Sequence, residues 1–165
     1  MALHAVTAWW FLPFVAPICL YVVYTDLSRM KITNRAVVAL AIVYAVIGTL
    51  ALPDWTTYAW GFACLGIVLG VGIILNAAGV MGAGDAKFCA AAAPYIALGD
   101  LKLLITLLAG ITLAAFVAHR IARATPLRKL APDWESWAAG PRFPMGLALG
   151  PTLLAYLALA ALNGA

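Results

Sequence analysis

Apolar runs of bilayer length alternate along this chain with short polar interruptions. Six such runs can be marked, at about 6–24, 36–52, 58–78, 86–98, 101–118 and 144–162. A bilayer needs ~20 residues of helix, with shorter runs tolerated. The runs are continuous rather than alternating with period 2, so they predict helices and not the strands of a barrel. The pattern therefore predicts an all-α polytopic membrane protein of about six transmembrane helices, the fourth of them short.

Composition agrees with that reading. Hydrophobic residues make up 66% of the 165 positions and charged residues 10%; mean hydropathy is +1.04. No soluble fold hides so much apolar surface, so the solvent is lipid. The length fits one integral-membrane domain spanning residues 1–165, with no separate soluble domain.

Charge sets the expected orientation. Arg29, Lys31 and Arg35 follow the first run, Lys87 opens the fourth, and Arg120, Arg123, Arg128, Lys129 and Arg142 follow the fifth. Alternating the spans puts these nine on one side and leaves only Lys102 on the other. By the positive-inside rule the nine are cytoplasmic and both chain ends extracytoplasmic. The net charge of +4 is thus a topology signal, and nucleic-acid binding is not expected. The first run lacks a basic leader before it and reads as a retained helix rather than a signal peptide.

Other features read as structural. Cys19, Cys64 and Cys89 fall inside spans without a C-x-x-C pair, so no metal site or disulfide framework is expected. Gly66 with Gly70, and Gly146 with Gly150, form small-xxx-small pairs suited to close helix packing. Pro13, Pro17, Pro94 and Pro151 are expected to kink spans. Trp9, Trp10, Trp55 and Trp60 form an interfacial belt, and "DWESW" reads as a short amphipathic segment on the membrane. His4 and His119 have no metal-like partner and receive no catalytic role.

The six acids divide unequally. Asp54, Asp100, Asp133 and Glu135 read as solvated loop charges. Asp26 ends the first span and Asp85 begins the fourth, so both lie at the same boundary, where an unpaired carboxylate is costly and marks a functional candidate. Each also has a plain reading. Asp26 can pair with Arg29 one turn on, and Asp85 can cap the fourth helix. If the two spans are neighbours, however, the acids face one another. Two close carboxylates cannot both ionise readily, so one keeps its proton. The ionised one then takes a proton from water while the other donates to a scissile carbonyl, with no covalent intermediate. Gly82 and Gly84, in "GVMGAGDAKF", can take positive φ at no steric cost and so let the helix break just before Asp85, opening an entrance.

Three stretches together resemble the prepilin peptidase family of G-x-G-D membrane aspartic proteases, and most of all its short form from tight-adherence (Flp-type) pilus systems. "DLSRMKITN" is similar to the first-aspartate segment D-x5-I-x-N, through Asp26, Ile32 and Asn34. "GAGDAK" supplies Gly82, Gly84, Asp85 and Lys87. "FPMGLALG" is similar to the Pro-x-Gly start of the last helix, through Pro144 and Gly146. Thr33 stands where proline is common, and Met145 where an aromatic is common. The cysteine-rich domain that adds N-methylation in longer members is not seen, so cleavage without methylation is expected.

The resemblance implies an aspartic endopeptidase of the bacterial inner membrane. It would cut short basic leaders from type IV pilin-like precursors at the cytoplasmic face, with Asp26 and Asp85 catalytic and no cofactor or metal. Gly82, Gly84, Lys87 and Asn34 are site-shaping candidates. Asn34 has a plain alternative as the cap of the second helix. Lys87 has one as a topological charge, its functional role being to steady a carboxylate. The partners implied are the precursor and the bilayer, and contact with a pilus assembly or secretion system would follow. Two other readings stand beside it: a small proton- or cation-coupled transporter using the same acids, and a non-catalytic membrane scaffold.

Overall fold

The computed structural model describes residues 1–164, and six α-helices account for most of them. They are α1 (Ala5–Arg29), α2 (Asn34–Ala51), α3 (Trp55–Ala77), α4 (Ala83–Ala92), α5 (Leu101–Ala124) and α6 (Gly146–Asn163). Every one but α4 is long and apolar enough to cross a membrane. The chain is a multi-pass membrane protein.

The helix ends follow local chemistry. α1 runs past the apolar stretch through Asp26 to Arg29, with Pro13 and Pro17 inside it. It stops where Met30 turns left-handed at φ 48° and its amide donates to the Asp26 carbonyl. Thr33 caps α2, its hydroxyl accepting from the Ala36 amide at 3.3 Å. Asp54 caps α3, accepting from the Thr57 amide at 2.7 Å. α4 has only 10 residues, about 15 Å of helix. Two short 3-10 turns, Ala93–Tyr95 at Pro94 and Leu98–Asp100, carry the chain on to α5. The expected fourth span is therefore broken after Ala92, where proline cannot continue the backbone ladder.

The packed centre is α1 against α6, with α2 and α4 alongside. Glycine makes the close approach: a Cβ at Gly150 would sit 2.9 Å from the Cys19 carbonyl oxygen. Gly72 does the same for α3 against α4, 2.9 Å from the Ala86 Cβ. Buried aromatics fill the middle. Tyr95 stands edge-on to Phe11 at 4.8 Å and to Tyr44 at 5.5 Å, and its hydroxyl donates to the Leu40 carbonyl at 2.6 Å.

Several expectations change here. Gly146 and Gly150 do pack against α1, but Gly66 and Gly70 of the other pair face open space. "DWESW" packs against the bundle. It folds back through a turn at Glu135–Trp137, stacking Trp137 on His119 at 5.1 Å and setting Trp134 against Tyr24 at 6.4 Å. Asp100 is no solvated loop charge: it is buried and accepts from the Ala2 and Leu3 amides and the Tyr156 hydroxyl. These bonds tie the chain start to the α5 and α6 end of the bundle. Gly164 packs beside Leu3 and Ala5, so both ends of the described chain lie together.

Candidate active site

At the end of the bundle opposite the termini, the last turn of α1, the start of α2, the first turn of α4 and the segment leading into α6 surround an open cavity of about 950 Å³. Asp26 and Asp85 both line it. α1 and α4 are not main packing partners. α1 packs on α6 and α2, whereas α4 packs on α3, α2 and α6. The cavity is the space those shared neighbours leave.

Two of the sequence motifs dock on each other to close that arrangement. Ile32 is buried and lies against Gly84, where an added Cβ would be 3.3 Å from the Ile32 Cβ. With the backbones this near, Lys87 reaches Asn34, its ammonium donating to Oδ1 at 3.2 Å. The loop after Asp26 is thereby fastened to the helix that carries Asp85. Lys87 and Asn34 both line the cavity. Lys87 holds an amide here rather than a carboxylate.

Asp26 is buried, and Oδ2 accepts from the Gly146 amide at 2.6 Å. That amide is the first of α6, one of the helix-end donors that lack an intrahelical partner. Gly146 has no room for a side chain, since a Cβ would stand 2.9 Å from the Asp26 Cβ and 3.0 Å from Oδ2. The anticipated Asp26–Arg29 pairing gives way to this backbone bond. The residue that sequence reading left out of the site is therefore Gly146, and the signal for it was present in "FPMGLALG".

Asp85 sits in the first turn of α4, not at its cap; the cap is Gly82. Burial pushes the Asp85 carboxyl up to about 6, with the nearby Asp26 charge adding to the rise and the Gly82 amide opposing it. Gly82 and Gly84 do not take the positive φ open to them. Gly82 has φ −65°, Gly84 is helical, and the left-handed glycine of this segment is Gly79 at +73°. The helix breaks at 78–82, so the glycines act by allowing close approach: Gly82 stands against the Asp85 carboxylate and Gly84 against Ile32. Asn34 is likewise not a cap, because Thr33 takes that place.

Five basic residues also line the cavity. Arg29, Lys31, Arg35 and Arg142 join Lys87 around the two acids. The segment bearing Arg142 is held by α5: Arg120 donates to the Gly140 and Pro141 carbonyls at 3.2 Å each, and Arg123 to Gly140 at 2.9 Å. Among the described residues, no group of three or more His, Cys, Asp and Glu side chains is placed to hold a metal ion. What the site offers chemically is a pair of carboxyl groups of unequal surroundings, lining one open cavity at the end of a membrane bundle.

Comparison with known proteins gives one match. A family model described as the type IV leader peptidase family covers residues 13–119, from the first third of α1 to near the end of α5 and across both acids. Searches of curated proteins and of solved structures found no match.

Proposed function

This chain belongs to the type IV leader peptidase family, and from that premise we propose that it is an aspartic endopeptidase whose catalytic pair is Asp26 and Asp85. The observation that carries the reading is their convergence on one open cavity, although they lie on helices that pack mainly on other partners. Family membership makes the chain a peptidase; the carboxyl pair supplies a way to cut.

The chemistry follows from the unequal surroundings. Asp85, pushed up to about 6 by burial and by its neighbour's charge, is the acid that holds a proton. Asp26, oriented by the Gly146 amide, is the base. Asp26 takes a proton from a water as its oxygen attacks the scissile carbonyl, and Asp85 gives its proton to the carbonyl oxygen. The tetrahedral diol then collapses, and the leaving nitrogen takes a proton from the pair. No covalent intermediate forms. Because the two acids act as one unit, their titration belongs to the pair.

The substrates we propose are type IV pilin-like precursors, of the Flp type by the resemblance of the short chain. The leader would be cut at the cytoplasmic face of a bacterial inner membrane, with both chain ends outside. The basic residues of the cavity agree with that orientation, since positive residues favour the cytoplasmic side. Gly82, Gly84, Asn34 and Lys87 would shape the site through the docking just described. No methyl transfer is proposed.

Reconstituted into lipid vesicles, the purified chain is expected to release the leader from such a precursor, and Asp26→Asn or Asp85→Asn to stop release with protein level unchanged. Full cleavage by either variant would refute the assignment. Proton- or cation-coupled flux without cleavage would favour the transporter reading instead.

A further inference from the structure

A second cavity, of about 380 Å³, opens on the side of the bundle. Its walls are α3, through Cys64 and Val68, and α5, through Leu104 and Leu108; its floor is α4 and α6, through Cys89 and Leu153. These walls are the two least buried helices. α3 buries only Gly61 and Gly72, and α5 only His119. α3 is attached to the bundle through α4, and α5 through α6. The lining is apolar. The one hydroxyl in it, Thr152, already donates to the Ala148 carbonyl at 2.8 Å. An occupant must therefore be largely apolar as well, because the lining offers few polar groups to satisfy another.

The floor gives this groove a direction. On α4, Asp85, Phe88, Cys89 and Ala92 recur at helical spacing and so share one face. The last three line the groove. On α6, Leu149 and Leu153 line it, and Gly146, which holds Asp26, is the first residue of the same helix. Both floor helices thus begin at the acids and continue as groove. The groove lining begins about one helical turn past Asp85 on α4, at Phe88, and past Gly146 on α6, at Leu149.

We propose that the groove between α3 and α5 receives the apolar helix of the precursor and so places the leader junction between Asp26 and Asp85. The inference rests on the leader-peptidase reading above. The helix lies along α4 and α6, and the short α4 leaves it room. A lipid chain would fill the groove without regard to register, whereas a precursor helix fixes which peptide bond meets the acids.

Cysteine cross-linking tests this with a thiol already in place. In a Cys19→Ala, Cys89→Ala enzyme, Cys64 is the only thiol; the precursor carries single cysteines scanned through its apolar segment. Cleavage is followed in the same membranes. Cross-links recurring every three to four precursor positions are expected from Cys64. They should be absent when the thiol is moved two residues, to the opposite face of α3, by Cys64→Ala with Gly66→Cys. A Leu104→Trp variant should raise KM for the membrane-embedded precursor about tenfold, near 1.4 kcal/mol of lost binding. Cleavage that proceeds while Cys64 forms no cross-link, or links equally at all positions, or links no better than Gly66→Cys, overturns the groove but not the peptidase. Absence of cleavage by the unmodified enzyme overturns the parent reading instead.

Discussion

The two ends of this bundle use buried aspartate in opposite ways. At the end that carries the termini, Asp100 accepts from Ala2 through both oxygens at 2.8 and 2.9 Å, from Leu3 at 3.1 Å and from the Tyr156 hydroxyl at 3.0 Å. At the other end Asp26 is as deeply buried, yet the Gly146 amide is its bond to the protein, and its carboxyl lines an open cavity with Asp85. Burial alone does not separate a structural carboxylate from a candidate catalytic one. The difference is spare acceptor capacity directed at a space that substrate and water can reach.

Substitution should pull the two ends apart. Asp85→Asn keeps the shape and removes the proton relay, so the cleavage rate should fall about a hundred- to ten-thousand-fold with little change in Tm. Asp100→Asn should do the reverse, keeping cleavage while lowering Tm. Asp100→Ala should cost about 2–3 kcal/mol, since it strands buried donors. Leader-release assays and thermal unfolding in the same detergent would check both, and a large loss of cleavage in folded Asp100→Asn would erase the distinction.

The comparison sharpens at the glycines of α6. Gly146→Ala presses on the Asp26 side chain, and a displacement of that kind should lower kcat about tenfold or more. Gly150→Ala presses on the Cys19 carbonyl instead, so stability should drop while folded enzyme keeps its kcat. Equal kcat values for the two variants would contradict the role given to Gly146.

Acidity gives a smaller effect. Burial and the Asp26 charge push Asp85 up to about 6, so as pH rises through that range the pair loses its shared proton and kcat should decline. Stability follows the same group. Its folded value lies above the ordinary 3.8, so between about 4 and 6 the unfolded chain releases the proton first and stability falls as pH rises. Unfolding of the native chain and of Asp85→Asn across that range should show the steeper fall in the native chain. The smallest change expected is in Asn34→Ala. Losing the Lys87 bond should cost about 1 kcal/mol, seen as a several-fold decrease in activity that Asn34→Gln partly restores.

Much of this was legible in the sequence. Run length and continuity gave the helices, and the placement of Asp26 and Asp85 at span boundaries gave the candidate pair. What escaped depended on contacts between distant segments. Asp100 looked like a loop charge because its donors, Ala2, Leu3 and Tyr156, lie far away along the chain. Gly146 was visible as a packing glycine, but only the fold turns its amide toward Asp26. Helix caps fell one residue before Asn34, at Thr33, and three before Asp85, at Gly82, because shifts that small are invisible to composition. Gly66 and Gly70 had the packing pattern without a partner in the bundle.

The most direct measurement is single-turnover leader release by the native chain, Asp26→Asn, Asp85→Asn and the double variant, in one membrane preparation. If the acids act together on one water, each single substitution removes nearly all activity and the double is no worse than the weaker single. Losses that multiply in the double variant, or a single variant that cleaves at the native rate, would contradict it.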